Sequence, residues 1–225
     1  MASKKDQAEL QNEQAIEKVN KVEEFYYANK KLIWTLTCAI LALALLILAY
    51  QQFIVKPRAA EAAAQMYTAE ASFADGEYEL ALNGDGNVYG FAEVLKEYKG
   101  RAPKAANLYA GVCELQLGNF QEALNYLKKY KGKDAILGAR ALACQADALV
   151  GLEDYAKAAP LYEKAAAKSD NVFAAAYLLK AGVVYEQLGD KDKALSLYKS
   201  IKDKYPQSVE GYDVDKYIAR IEAAL

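Results

Sequence analysis

The chain predicts an all-α protein: a single N-terminal transmembrane helix, then an α-solenoid of about three to four two-helix repeats with a C-terminal capping helix. Three observations carry that prediction. Residues 32–55 contain no charged side chain. From Ala59 onward apolar residues recur at helical spacing with almost no strand-type alternation. A pattern of small residues in the second half returns after 35 and then 36 positions.

Residues 1–31 form the first part, predicted as a cytoplasmic amphipathic helical tail. Ser3-Lys4-Lys5-Asp6 has capping-box spacing, and Ala8, Ala15, Val19, Val22, Tyr26 and Ile33 follow in steps of seven, four, three, four and seven. Such a near-heptad seam suits a partner helix, a membrane surface or a frayed tail.

Residues 32–55 form the second part. About 20 helical residues cross a hydrocarbon core of roughly 30 Å. Between Leu32 and Tyr50 stand seven leucines and three isoleucines, which at about −0.3 to −0.6 kcal/mol each give roughly −3 to −6 kcal/mol towards insertion. Trp34 and Tyr50 lie where interfacial aromatics belong, and Leu32 and Val55 mark the ends. A cleaved signal peptide would have a shorter apolar core and a shorter, less acidic lead. A signal anchor fits better, because six lysines and six acidic residues precede the run. Lys18, Lys21, Lys30 and Lys31 outnumber Lys56 and Arg58 across it, which predicts an N-terminus in the cytoplasm and residues 56–225 outside it.

The third part, residues 56–225, repeats itself. Gly111, Ala146 and Gly182 mark close approaches of a first helix, and Ala123, Ala158 and Ala194 mark the matching second helices. Gly118 and Gly189 are placed to close first helices, with Glu153 where the middle unit lacks the glycine; Asn119, Asp154 and Asp190 are placed to cap second helices. Ala123/Leu127/Tyr130, Ala158/Tyr162/Ala165 and Ala194/Tyr198/Ile201 form buried i, i+4, i+7 stripes. A two-helix unit with a period near 34 resembles the tetratricopeptide repeat (TPR). A less regular unit precedes these three: Gly76 repeats the turn, but Asn83-Gly-Asp-Gly-Asn-Val-Tyr-Gly90 interrupts its second helix. Val214, Tyr217, Ile218, Ile221 and Leu225 share one face of a final helix, which would cover the last repeat.

Composition narrows the chemistry. The chain has 28 basic and 30 acidic residues, so no charge excess points to nucleic acid. It has no histidine, no Gly-x-Ser-x-Gly elbow and no phosphate-cradling loop. Thr68 and five serines are the only hydroxyl nucleophiles of aliphatic type past residue 55. No catalytic residue, metal ligand, cofactor or small-molecule substrate is predicted. Asn83, Asp85 and Asn87 alternate like calcium ligands, but Val88 and Val94 occupy the places where an EF-hand needs Gly and Glu; a bulge between helices is the expectation. Cys113 and Cys144 fall on neighbouring helices too far apart for a disulfide, which predicts buried free thiols.

Binding remains as the function. By helical period, Met66, Phe73, Leu108, Val112, Leu115, Arg140, Asp147, Leu179, Val183 and Glu186 line the inner curve, an apolar groove suited to a docked helix or an unfolded segment. The alternative is that this face is closed by a terminal helix. The order of tail, anchor and repeat block resembles the YfgM-like family, ancillary subunits of the bacterial Sec translocon, over nearly the whole chain. The carrying features are the run Leu32–Val55 and the repeats at Gly111, Ala146 and Gly182; the 83–90 loop departs from the family pattern. The resemblance implies a bacterial inner-membrane protein with a periplasmic repeat domain, whose partners are translocon subunits, a periplasmic chaperone or unfolded clients. A scaffold in outer-membrane assembly or division fits the same parts.

Overall fold

The computed structural model describes residues 4–223, with side chains from Lys18 onward. Ser3, and the side chains of Ala8 and Ala15 in the predicted seam, lie outside the described part, as does Leu225. The described residues form α-helices, one π-helical turn and no strand beyond an isolated bridge. The chain divides into two compact units, Met1–Pro57 and Arg58–Leu225.

In the first unit α1 spans Lys4–Tyr50. Val19 and Val22 of the seam are exposed, and so are most of the large side chains of the uncharged run, Ile40 and Leu46 among them by two thirds, while Ile33 and Val55 are half-buried. Among the described residues this is the one helix long and apolar enough to cross a membrane. Its two threonines are satisfied locally: the Thr35 hydroxyl donates to the Leu32 carbonyl and that of Thr37 to Ile33, both at 2.8 Å. The α-helix stops before the uncharged run does, and Gln51–Val55 form a π-helical turn in which the Lys56 amide donates to the Gln51 carbonyl. Pro57 explains the widening, because proline has no N–H and its ring collides with the carbonyl four residues back.

The second unit is built of helix pairs. α2 (Lys56–Ala74) buries Ala62, Met66 and Ala69. Its partner is divided into α3 (Tyr78–Asn83) and α4 (Phe91–Tyr98). In the loop between them the Asp85 carboxylate accepts from the amides of Asn87 and Val88 at 2.8 and 2.9 Å, so it serves its own turn. Gly90 is required there, since a Cβ would stand 2.3 Å from the Leu82 carbonyl oxygen. Three regular pairs come next: α5 (Ala105–Gln116) with α6 (Phe120–Lys129), α7 (Ala135–Gly151) with α8 (Tyr155–Lys168), and α9 (Val172–Gln187) with α10 (Lys191–Lys204).

All four pairs turn in the same way. Gly76, Gly118, Glu153 and Gly189 take a left-handed conformation, with φ of 80°, 80°, 61° and 79°. Each amide bonds three residues back, and the next residue's amide bonds five back, as in Asp154 to Leu149 at 2.8 Å and Asp190 to Tyr185 at 2.9 Å. This is the Schellman arrangement that ends a helix at glycine. Glu153 holds it with a Cβ in the way, which costs about 1 kcal/mol. Glu153→Gly is therefore expected to raise stability by about 0.5–1 kcal/mol in denaturant melts; an unchanged or lower midpoint would count against the strain. Of the three predicted caps only Asp190 accepts an amide, from Lys193. Asn119 turns instead to the Glu114 carboxylate and Asp154 to the Lys157 ammonium.

The small residues work as holes for large ones. A Cβ on Gly111 would meet Leu127 Cγ at 2.6 Å, and one on Gly182 would meet Tyr198 Cε1 at 2.3 Å. Leu127, Tyr162 and Tyr198 occupy equivalent places in successive units, and all three are buried. The apolar side chains form three clusters along the array: around Met66, Phe91 and Val94; around Leu127, Ala146 and Tyr162; and around Tyr198, Ile201 and Val214. The last of these is completed by α11 (Val209–Glu222), which buries Val214, Ile218 and Ile221. Its other face is engaged too, through Lys202–Asp215 at 2.6 Å and Lys199–Glu222 at 2.8 Å.

Candidate protein-binding face

The residues predicted to line one groove separate into three groups. Met66, Leu108 and Val112 are core residues, no more than 6% exposed, and this corrects their assignment to an open face. The reason is that the next helix in the array covers the positions that helical period turns inward. Phe73 and Leu115 are half-buried; Phe73 stands edge-on to Tyr109 with ring centroids 5.0 Å apart. Arg140 and Val183 are exposed, and Leu179 is half-buried against the terminal cluster.

Asp147 and Glu186 form the third group, and each is the centre of a network. The Asp147 carboxylate accepts from the Tyr162 hydroxyl at 2.5 Å and from the Lys180 ammonium at 2.6 Å. Glu186 accepts from the Tyr198 hydroxyl and from Arg220 of α11, both at 2.6 Å. Glu163 does the same with Tyr185 at 2.7 Å and Lys193 at 3.0 Å. In each case a tyrosine supplies the neutral donor and a cation from the adjoining unit or helix supplies the charge. Glu186 is thus held by α11, which narrows the face at its C-terminal end. From the sequence Tyr162 and Tyr198 are read only as buried stripe positions, and none of Tyr162, Tyr185, Tyr198, Lys180 and Arg220 as a hydrogen-bonding partner of a carboxylate. One signal was available: a phenol at a core stripe position needs an acceptor.

Burial first, and then the bond to Asp147, push the Tyr162 hydroxyl well above its usual range. Burial and Glu186 do so for Tyr198, and burial and Glu163 push Tyr185 up to about 12. An unfolded tyrosine titrates near 10. The folded state therefore holds these protons more tightly, and the stability they give is complete below pH 10 and is lost as pH rises through about 12. Helical circular dichroism should fall across that window, with part of the tyrosinate absorbance appearing only as it falls. Complete tyrosine ionisation near pH 10 with the helices intact would refute the networks.

The thiols offer no counterpart to this polar chemistry. Cys113 and Cys144 are free and buried; burial pushes the first up to about 12 and the second up to about 11. Both remain neutral near pH 7, and only the thiolate is a strong nucleophile.

The geometry defines an α-solenoid of antiparallel helix pairs with identical turns, hole-and-knob contacts and a capping helix. The family model described as Tetratricopeptide repeat matches residues 91–135 and 145–209, so the chain carries tetratricopeptide repeats over this stretch, a family of protein–protein interaction modules. Two solved structures are similar in fold. A crystal structure of MamA protein shares 20% identity at a TM-score of 0.57, over 72% of this chain and 82% of that one. A second crystal structure of MamA shares 21% at 0.56, over 69% and 83%. No curated protein sequence matches the chain.

Proposed function

We propose that the protein is a membrane-anchored, non-catalytic interaction module of the bacterial inner membrane, with its tetratricopeptide repeats in the periplasm. There it assists export or envelope folding beside the Sec translocon. The observation that carries this is the run Leu32–Val55: no charge, its side chains turned outward, its threonine hydroxyls bonded within the helix, and a repeat block beginning within a few residues of its end. Residues 1–31 form the cytoplasmic tail, 32–55 the anchor and 56–225 the binding module. Anchoring raises the module's effective concentration at a membrane partner without any new contact.

The partner face centres on Arg140, Leu179 and Val183, which together with the half-buried Phe73 and Leu115 are the predicted groove positions that are neither core nor tied into a carboxylate network. A photocrosslinking amino acid at Arg140 or Val183 in cells is expected to capture translocon subunits or a periplasmic chaperone, while one at Met66 captures neither. Recovery of only outer-membrane assembly or division components from the same positions would replace the translocon as the site of action.

A further inference from the structure

One edge of the repeat block combines two properties that the groove does not explain. The first helices of two successive units, and the capping helix after them, begin on exposed apolar pairs: Ile136 and Leu137 open α7, Val172 and Phe173 open α9, and Val209 and Tyr212 open α11. These six side chains are between 41% and 79% exposed. The second helices end at the same edge, because each pair is antiparallel: a Cβ on Gly138, near the start of α7, would lie 2.3 Å from Lys168 Cε at the end of α8.

That edge is also basic. Lys128, Lys129, Lys131, Lys133, Lys168 and Lys204 are exposed there, none of them in an ion pair among the described residues, and they outnumber the carboxylates Asp134, Asp170, Asp203 and Glu210 at the same edge. The opposite edge, where first helices turn into second helices, carries Glu77, Glu79, Glu122, Glu153, Asp154 and Asp192. Lys157, Lys191 and Lys193 also stand at that opposite edge, so the two edges differ in the balance of their charges rather than in kind. The helix dipole accounts for lysines in the last turns of α6, α8 and α10. It does not account for Lys131 and Lys133, which lie ahead of α7 where the dipole opposes cations.

Exposed apolar side chains set among unpaired lysines match the chemistry of an anionic lipid surface: apolar groups enter the headgroup boundary and cations meet phosphate. The chain itself brings such a surface near. The end of α4 lies beside the beginning of α2, since Tyr98 and Ala62 belong to one buried cluster and, after burial, the nearby Glu61 carboxylate helps to raise the pKa of the Tyr98 phenol, so α2 starts at this same edge. Only Lys56 and Pro57 separate Val55 from Arg58, a chain distance of about 11 Å at most. We infer that the edge formed by the starts of α7, α9 and α11 and the ends of α6, α8 and α10 is a docking surface for anionic lipid headgroups. For the nearness of that lipid, though not for the chemistry of the edge, the inference rests on the anchor proposed above.

The test uses the full chain in lipid vesicles. Cys38→Ala with Val209→Cys gives one reactive thiol for an environment-sensitive fluorophore, because Cys113 and Cys144 are buried. A parallel chain carries Glu153→Cys on the acidic edge. Vesicles are phosphatidylcholine alone, or an equal mixture with phosphatidylglycerol. The Val209 label should shift to the blue and brighten several-fold only with phosphatidylglycerol, and the Glu153 label should not respond. Lys131→Glu with Lys133→Glu, or molar salt, should remove most of the response. Equal emission from the Val209 label in both vesicles overturns the inference. So does a label that ignores phosphatidylglycerol but responds to added polyglutamate, which assigns the edge to an acidic protein. Carbonate extraction of the same samples reports on the anchor separately: a chain that washes off while its label distinguishes the two lipids refutes the anchor and upholds the edge.

Discussion

Tyr198→Ala should cost about 3–5 kcal/mol of folding free energy, as truncation of a large buried aromatic does. Tyr198 is among the largest side chains with no exposure at all, and it sits in the hole left by Gly182. The alanine variant empties that hole and withdraws one of the two donors on Glu186. For a unit of this size each kcal/mol moves the melting point by about 2–4 °C, so the transition should fall by roughly 6–20 °C. Tyr198→Phe keeps the ring and loses only the hydroxyl, leaving Glu186 half-exposed and still bonded to Arg220; about 1 kcal/mol is expected. The contrast between the two is the informative part. Equal losses in thermal melts would mean that the hydrogen bond, not the packing, dominates. Gly182→Ala in the Tyr198→Ala background should be milder than Gly182→Ala alone, because the added methyl then has room.

The second large effect concerns location. Leu43→Arg with Ile47→Arg should release the chain from carbonate-washed membranes into the soluble fraction. Each arginine near the middle of a span costs about 2.5–3.5 kcal/mol, and each replaced residue gives up a few tenths more. Together these offset the roughly −3 to −6 kcal/mol that the leucines and isoleucines supply. Val22→Arg, outside the uncharged run and already exposed, is the control that should stay with the membrane. If the double arginine variant resists carbonate as the parent does, Leu32–Val55 is not what holds the protein there.

The parts of the structure legible in the sequence are those encoded locally. Helix ends announce themselves through Gly76, Gly118 and Gly189, and the period places Glu153 in the same turn although its side chain resists the conformation. Gly111 and Gly182 mark the holes because only a small residue admits Leu127 and Tyr198. The candidate face was harder, for a reason that Met66, Leu108 and Val112 make plain: helical period says which way a side chain points, not whether another helix lies over it. The tyrosine–carboxylate contacts were hidden for a related reason. Asp147 and Lys180 are 33 residues apart in the chain, and Glu186 and Arg220 are 34, so no window of one helix contains both partners. Asn119 and Asp154 show the limit even at short range, since correct cap positions do not decide where a side chain finds its hydrogen bond.

The networks on Asp147, Glu163 and Glu186 give the array a grammar. In each, the carboxylate belongs to one unit, and its cation, Lys180, Lys193 or Arg220, to the unit or capping helix next in the chain. Lifting out one unit, duplicating it or exchanging its place would preserve every helix and every turn, yet would seat a carboxylate against a neighbour without the matching cation. The last two repeats are alike in backbone but are not interchangeable words: each can be read only before its own successor.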